Sequence, residues 1–431
     1  MALRVGIIGA GIGGLSSAIG LRRIGAEVEI FERSSFKNEV GAAITITPNG
    51  SRILDSWGFD EVKARVTEAK VLRMVHAHTL ETAFMEDLAD VPRKFGAKMG
   101  FYHRVDLHTT LKEMAQGEEA DQPGTPATIR LGVAVVDIDC DTGMIALADG
   151  TTVTKDLIIV ADGIRSQFIS KITSHDDSVK ELSWSAYRCL IPMNTILSDP
   201  ATRSIFENQP AGYWTPFYIP KAFYMVAYPC RDNQTLNIAL RHKTQPKDRD
   251  KEDWNSAAAR EDVLQALKDY HPTMGEIINK ASDIKIYKLV RREPLLRYWR
   301  GRAVIIGDAA HTILPTHAQG AVLAVEEAAA LELLLEGLTN SADVPSRLEL
   351  YSDLLKNHIH VVQNLSETIP GTRDEYRRKA EELCGDELFG HQAMNFSTPV
   401  QEFFYSYDVC KEVTRGMKEA GIMKDNAHVS V

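Results

Sequence analysis

A glycine-rich turn near the start of the chain constrains the fold more than any other feature. The turn, Gly9-Ala-Gly11-Ile-Gly-Gly14, follows a short apolar run that is typical of a buried parallel strand. Gly9 permits a tight turn, Gly11 lets a pyrophosphate approach the backbone, and Gly14 lets the following helix pack on the strand. Glu32 ends a second apolar strand 23 positions after Gly9, where a carboxylate can meet a ribose hydroxyl. The spacing predicts a dinucleotide-binding unit, although it does not say which dinucleotide binds.

Three later segments give the same kind of signal. Asp162-Gly163 ends an apolar run that predicts a buried strand, although an Asp-Gly pair also occurs at ordinary turns. Asp308 follows another such run, and a carboxylate at the end of a strand suits a ribitol hydroxyl. The alternative for Asp308 is a helix N-cap without a ligand. A helix is predicted to begin near Gly320, and its N-terminus favours negative charge. Together with the segment that begins at Arg104, these features predict one bound FAD.

Composition narrows the class of protein. The chain has 431 residues, and its net charge of −10 argues against a nucleic-acid partner. We find no run of about 18 apolar residues, so we expect no membrane span. Five cysteines without a CxxC pair argue against a disulfide framework. The first strand begins almost at Met1, so we expect no signal peptide and a cytoplasmic protein. Histidine pairs lack the carboxylate or cysteine spacing of a metal site, so none is predicted.

The sequence pattern changes along the chain. Between Trp184 and Leu240, aromatic and β-branched residues alternate with polar ones, which indicates an antiparallel sheet. We therefore predict an α/β protein in which a Rossmann-like FAD-binding domain carries an inserted, mostly antiparallel substrate-binding sheet domain and a helical C-terminal segment. The expected boundaries are 1–75, 104–178 and 286–340 for the FAD-binding domain, 76–103 and 179–285 for the sheet domain, and 341–431 for the C-terminal segment.

The combined motifs resemble the FAD-dependent aromatic hydroxylases, a family of single-component flavoprotein monooxygenases. The resemblance also rests on the run 41–49, Tyr187-Arg188, Tyr228-Pro229 and Pro294-Leu295 before Trp299. It is nearest in style to the salicylate hydroxylase-like branch and to fungal natural-product monooxygenases. These motifs are specific for the family but say little about the substrate.

The resemblance implies a role for individual residues. The ADP half of noncovalent FAD would be held by the glycine turn and Glu32, and Arg104 would reach the pyrophosphate region. Asp162 would serve FAD and NAD(P)H together, and Asp308 would bind the ribitol. The residues implied near the flavin ring are Ala43, Pro315, Gly320 and Ala321.

Arg188 and Tyr218 are the candidate catalytic residues. Arg188 would fix a substrate carboxylate or phenolate, but it could instead be a sheet-surface arginine paired to an acid. Tyr218 and Tyr224 could supply a hydroxyl to the same pocket, yet each could be a packing aromatic. Cys189 departs from the family pattern and is expected near the substrate side.

The resemblance implies that NAD(P)H reduces FAD and that O₂ forms a C4a-hydroperoxyflavin, which hydroxylates a phenol or an aromatic acid. Two alternatives stay open. One is oxidation of an indole or polyketide scaffold in natural-product biosynthesis, and the other is a non-oxygenating flavin oxidoreductase. We expect a small aromatic substrate and a monomer or homodimer.

Overall fold

The computed structural model describes residues 2–36, 42–118, 122–174, 179–245, 256–368 and 398–423, together with 378, 381 and 382. Gly41, the first residue of the motif at 41–49, lies outside the described residues, as does most of 369–397 within the C-terminal segment.

The strands are given in chain order. They are β1 (Arg4–Ile8), β2 (Glu27–Glu32), β3 (Ala43–Ile46), β4 (Thr67–Glu68), β5 (Val71–His76), β6 (Thr82–Asp87), β7 (Gly100–His103), β8 (Thr128–Leu131), β9 (Val135–Asp139), β10 (Met144–Leu147), β11 (Thr152–Thr154), β12 (Leu157–Val160), β13 (Lys180–Pro192), β14 (Gly212–Tyr218), β15 (Phe223–Cys230), β16 (Thr235–Lys243), β17 (Ser256–Ala257), β18 (Ile284–Arg291), β19 (Trp299–Arg300) and β20 (Ala303–Ile305).

The α-helices follow the same convention. They are α1 (Ile12–Arg23), α2 (Pro48–Ser56), α3 (Val91–Phe95), α4 (Arg104–Gln116), α5 (Ile169–Thr173), α6 (Met193–Leu197), α7 (Pro200–Phe206), α8 (Arg260–Leu267), α9 (Pro272–Asn279), α10 (Gly320–Leu335), α11 (Val344–Ser366), α12 (Thr398–Ser406) and α13 (Val409–Glu419).

A six-stranded sheet has the order β19-β20-β12-β1-β2-β8. The strands from β20 to β8 run parallel to their neighbours, and β19 is antiparallel to β20. All of β12 and residues 5–8 of β1 are buried, as central strands covered on both faces require. Helix α1 packs against α4 and α10. This arrangement is the Rossmann-like unit that the glycine turn predicts.

An eight-stranded sheet has the order β17-β18-β13-β16-β15-β14-β5-β6. Its pairs are antiparallel except for β14 with β5. Because successive side chains alternate between faces, one face packs with α8 and α9 into a separate apolar core. The opposite face is left for the cavity described below. The predicted α/β fold, with its inserted sheet and C-terminal helices, is confirmed.

The sheet memberships differ from the expected domain boundaries in three places. The boundary between 75 and 76 cuts β5, which is hydrogen-bonded to β14 and β6. The boundary between 285 and 286 cuts β18, which pairs with β13. Strand β7, expected in the sheet domain, pairs instead with β3 and β4. The choice of partner strand depends on contacts distant in sequence, so local pattern does not reveal it.

The C-terminal helices pack against helices of the Rossmann-like unit and against α2. Helices α11 and α13 pack against α10, and α12 packs against α2. Arg52 of α2 holds the end of α12 in place. Its guanidinium donates hydrogen bonds to the carbonyl oxygens of Tyr405 at 2.7 Å and Tyr407 at 2.6 Å. The C-terminal segment therefore belongs to the same packed body as the glycine turn.

Candidate active site

A cavity of about 410 Å³ runs from the glycine turn to the free face of the eight-stranded sheet. Seven of the predicted cofactor residues line it, and the others lie beside it. The lining residues predicted from sequence are Gly11, Ala43, Arg104, Asp308, Pro315, Gly320, Ala321 and Arg188.

The glycine turn is shaped by contacts that exclude side chains. Gly9 has a φ of +99°, and a Cβ there would lie 2.4 Å from the Ala161 carbonyl oxygen. A Cβ at Gly14 would lie 2.0 Å from the Gly9 carbonyl oxygen. At Gly11, by contrast, a Cβ would meet no described heavy atom within 4 Å, because the position opens into the cavity. Gly9 and Gly14 thus shape the turn, and Gly11 leaves room for a ligand.

Glu32 braces the turn from the end of β2. Its Oε2 accepts a hydrogen bond from the Ala10 backbone N–H at 2.8 Å, and its Oε1 accepts one from the Ser34 N–H at 2.6 Å. The carboxylate therefore stands at the strand end beside the glycine turn, as the spacing predicts. Whether it also meets a ribose stays a prediction.

Two carboxyl groups have unusual environments at the strand ends. Asp162 follows β12, and its Oδ1 is buried with no hydrogen-bond partner among the described residues. Burial raises the pKa of Asp162. Asp308 follows β20, and its side chain is exposed to the cavity. Burial raises the pKa of Asp308, and nearby His311 and Arg104 partly oppose that rise. Asp308 is therefore placed to accept hydrogen bonds from a ligand in the cavity, and Asp162 lies between two residues that line it, Ala161 and Gly163.

A buried ion pair supports the backbone that presents Asp308. His311 Nε2 lies 3.0 Å from Glu327 Oε2, which also accepts a hydrogen bond from the Gly307 N–H at 2.8 Å. Tyr351 donates its hydroxyl to Glu327 Oε1 at 2.9 Å. Burial alone would lower the pKa of His311, but Glu327 outweighs it and the pKa is raised. His311 is therefore a positioning group behind the cavity.

A polar network fixes the loop that leads into α10. The Gln319 Nε2 donates to Thr47 Oγ1 at 3.0 Å, and its Oε1 accepts from Asn49 Nδ2 at 3.0 Å. Asn49 also donates to Glu326 Oε1 at 2.8 Å. Within the loop, Ala318 has a φ of +57°, a left-handed conformation that non-glycine residues adopt at a cost. The loop is thus held in one shape beside Gly320, where the N-terminus of α10 meets the cavity.

The free face of the eight-stranded sheet forms the other end of the cavity. Alternate residues of four strands line it, namely Ala186, Arg188, Tyr224, Val226, Tyr228, Asn237, Ala239, Arg241, Tyr287 and Leu289. The Arg188 guanidinium stands 4.8 Å from the centre of the Tyr287 ring. Its Nε is buried without a hydrogen-bond partner, and no described carboxylate forms an ion pair with it. The alternative of an acid-paired surface arginine is therefore not what the structure shows.

Tyrosines complete this wall. Tyr213 and Tyr228 pack edge to face with ring centres 5.2 Å apart, and both contact Phe101. Burial raises the pKa of Tyr224 to about 12, although the nearby Arg241 partly opposes the rise. Burial also raises the pKa of Tyr213 and of Tyr228. These hydroxyls stay protonated near neutral pH, so they can donate hydrogen bonds but cannot act as bases.

Tyr218 does not reach the cavity, which corrects its placement as a catalytic candidate. It shares a face of β14 with Trp214, which is buried in the separate core, whereas Tyr213 faces the other way. Its ring packs edge to face on His78, with centres 4.6 Å apart. The same alternation turns Cys189 into that core and away from the substrate side. The sequence pattern does not distinguish Tyr213 from Tyr218, because the face of β14 that meets the cavity depends on the strands and helices packed around it.

Sequence reasoning missed Arg241 and Asn237. Asn237 Oδ1 accepts a hydrogen bond from the Ala43 N–H at 3.2 Å, which joins the eight-stranded sheet to β3. The Arg241 guanidinium stands 3.9 Å from the centre of the Trp184 ring. A spacing of two residues along the chain could have found them. Asn237, Ala239 and Arg241 are two positions apart, so they lie on one face of β16.

Other kinds of site are not seen in the part of the chain that the structure describes. No cluster of three or more histidine, cysteine, aspartate or glutamate side chains there could hold a metal ion. No helix among the same residues is long and apolar enough to cross a membrane.

Comparison with known proteins identifies the family. Residues 2–364 match the family described as "FAD binding domain", and the chain belongs to that family. It is 33% identical to the FAD-dependent monooxygenase cfoG of Aspergillus candidus over 96% of this chain and 95% of the relative. It is 31% identical to hispidin-3-hydroxylase of Neonothopanus nambi over 93% and 96%. A salicylate hydroxylase substrate complex shares the fold, with a TM-score of 0.74, 22% identity, and coverage of 96% and 98%.

These findings confirm an FAD-dependent monooxygenase of the aromatic hydroxylase family. The cavity fits FAD on independent grounds. Gly11 leaves open space beside a helix N-terminus, Asp162 holds an unpartnered buried oxygen, and Asp308 faces the cavity. The glycine turn would hold the pyrophosphate, Asp308 the ribitol, and the loop before α10 the flavin ring.

Proposed function

We propose that this protein uses NAD(P)H and O₂ to hydroxylate a phenolic or aromatic-acid substrate. The observation that carries the proposal is the Arg188 guanidinium, which lines the FAD cavity without an acidic partner among the described residues. A partly buried cation without a counter-ion is unfavourable, so a ligand anion would be stabilised there. The names of the relatives, which include hydroxylases, support the same reaction class.

Arg188 would bind a phenolate or carboxylate through its planar guanidinium. Charge-assisted hydrogen bonds of this kind fix both position and orientation. The positive charge would also lower the pKa of a bound phenol by stabilising its anion. A phenolate is richer in electrons than the phenol, so Arg188 would both orient the ring and prepare it for oxygenation.

The neighbouring tyrosines would refine the position of that ring. Tyr224, with its pKa raised to about 12, keeps its proton and can donate to an oxygen of the substrate. Tyr213 and Tyr228 supply an aromatic wall against which a substrate ring can pack. A substrate ring packed against this wall would displace water from it.

When bound, FAD would supply hydride acceptance from NAD(P)H and the activation of O₂. The chain's own contribution at that end is electrostatic. The N-terminus of α10, at Gly320, points its free N–H groups towards the cavity, and this end of a helix stabilises negative charge. Negative charge on a reduced ring would be favoured there.

The test is a screen of aromatic compounds with the purified holoenzyme. We expect one or more phenols or aromatic acids to stimulate the oxidation of NADH or NADPH and to yield a product that gains one oxygen atom from ¹⁸O₂. Stimulated oxidation that gives only hydrogen peroxide would instead favour a non-oxygenating flavin oxidoreductase. Parallel assays with NADH and NADPH identify the reductant. The cytoplasmic location and the monomer or homodimer state stay predictions.

A further inference from the structure

A second compartment adjoins the cavity on the far side of Arg241. Its volume is about 160 Å³, and it shares Tyr224, Arg241, Leu289 and Pro315 with the main cavity. Its floor is apolar, formed by Leu182 and Trp184 of the same strand that carries Arg188. The shared walls make the two spaces neighbours along one sheet face.

The two spaces together are long. Leu182, Trp184, Ala186 and Arg188 alternate along one face of β13, with the first two in the second compartment and the last two in the main cavity. Trp184 and Arg188 are four positions apart on the strand, which corresponds to about 13 Å. That distance exceeds the length of one substituted benzene ring.

Arg241 stands where the two spaces meet. It lies opposite Ala186 in the sheet register, and its guanidinium stacks 3.9 Å from the centre of the Trp184 ring. It also lies 5.7 Å from the centre of the Tyr224 ring. The far wall is polar, with Thr368 and with Glu367, whose carboxylate pairs with Arg291 at 3.4 Å. The second compartment thus has an apolar floor, with the Arg241 cation on one side and a polar wall on the other. Such a space suits a second aromatic ring that carries a polar group.

We propose that the substrate is an extended aromatic of at least two rings, and that Arg241 is a specificity-determining residue for its far end. The proximal ring would lie by Arg188, and the distal ring would lie on Leu182 and Trp184, with an oxygen substituent on Arg241. This inference rests on the proposed function, and it favours a scaffold-type substrate over a one-ring acid.

Two probes test the length of the site. One is 4-hydroxybenzoate, and the other is 4′-hydroxybiphenyl-4-carboxylate, which has the same end groups on two rings. Their dissociation constants are measured from the change in flavin absorbance on titration of the holoenzyme. We expect the two-ring probe to bind at least about tenfold more tightly, which is about 1.4 kcal/mol.

Variants then locate the cause. Leu182→Trp fills the second compartment, so the preference for two rings should fall to about twofold or less. Lys180→Trp is the matched control. It also introduces tryptophan, but at an exposed position of the same strand outside the compartment. It should keep the preference. Arg241→Gln removes the charge, so it should reduce the preference at least about threefold, and Arg241→Lys should restore part of it.

Each outcome decides the inference. The inference is overturned if the wild-type protein binds the two-ring probe no more tightly than 4-hydroxybenzoate, or does not bind it at all. It is also overturned if neither Leu182→Trp nor Arg241→Gln changes the preference. If Leu182→Trp does not fold, the two Arg241 variants carry the test.

Failure of this inference can be distinguished experimentally from failure of the proposed function. A one-ring compound hydroxylated by a protein without the two-ring preference would leave the function standing and remove only the inference. A two-ring preference that depends on Arg241, in a protein that oxygenates no compound, would keep the extended binding site and remove the monooxygenase reaction.

Discussion

The two ends of the cavity are built from different parts of the chain. At the glycine turn, the walls are backbone, and the key positions are those where a side chain is missing. On the eight-stranded sheet, the walls are side chains, and Arg188 and Arg241 supply the charge. A backbone surface can recognise a group that is common to all FAD-binding proteins, such as the pyrophosphate. A surface of side chains can change its ligand by single substitutions while the sheet keeps its shape.

The largest effect is expected at the glycine turn. Gly14→Ala should remove FAD almost completely and destabilise the apoprotein by about 1–3 kcal/mol or more, because the new methyl group would lie 2.0 Å from a carbonyl oxygen. Gly11→Ala is the matched control, since its methyl group enters open space. It should lose FAD with the apoprotein melting temperature unchanged. Equal melting temperatures for both apoproteins would contradict the division of roles between the two glycines.

At the sheet end, Arg188→Ala should reduce turnover about 100-fold, because an orienting contact to the substrate anion is lost. FAD content should stay near that of the wild type, since Arg188 lies on the sheet rather than in the FAD-binding segments. Arg188→Lys should recover part of the activity because it keeps the charge but loses the planar fork. Steady-state kinetics and flavin titration measure both effects. Near-normal turnover of Arg188→Ala on a true substrate would remove the proposed role.

Asp308 lies at the junction of the two ends. Asp308→Asn should weaken FAD binding about 10–100-fold, because a hydrogen bond to a charged group contributes about 1.5–3 kcal/mol. In the apoprotein, by contrast, Asp308→Asn should increase the stability of the fold at neutral pH. Burial raises the pKa of Asp308 above its usual 3.8, so ionising this group costs stability once the pH exceeds the raised pKa, and costs nothing below about 3.8.

The Asp308→Asn apoprotein should therefore unfold at a higher temperature than the wild-type apoprotein at pH 7 and show no advantage at acid pH. Thermal unfolding at several pH values, combined with flavin titration, measures both signs. An apoprotein that is less stable at pH 7 would show that Asp308 already has a stabilising partner in the absence of FAD.

The smallest effect is expected at Tyr218. Tyr218→Phe should change kcat/KM by about twofold or less, since its side chain faces His78 and not the cavity. Tyr224→Phe is the comparison, because Tyr224 lines the cavity and should lower kcat/KM about 5–10-fold through a lost hydrogen bond. If the two variants ranked the other way, the assignment of the sheet faces would be wrong.

The two ends also differ in how far the sequence predicts them. The glycine turn, Glu32 and the strand-end carboxyls Asp162 and Asp308 are all placed by short-range rules, because a turn and the elements around it are contiguous in the chain. The structure places each of them where that pattern predicts. On the sheet, the pattern identified Arg188 but chose Tyr218 over Tyr213 and overlooked Arg241.

The sequence alone therefore determined the fold class and the dinucleotide-binding unit, because a spacing of glycines and apolar strands has few physical realisations. The family followed from the resemblance of its motifs to those of known aromatic hydroxylases. Only the tertiary structure decided which face of each sheet strand meets the cavity. A shift of one residue turns a side chain from the cavity to the core, and that register depends on partner strands more than a hundred residues away, as for β5 and β14. The tertiary structure also brings Arg241 and Trp184 together. Their contact crosses between β13 and β16, and no local pattern predicts that these two strands pair.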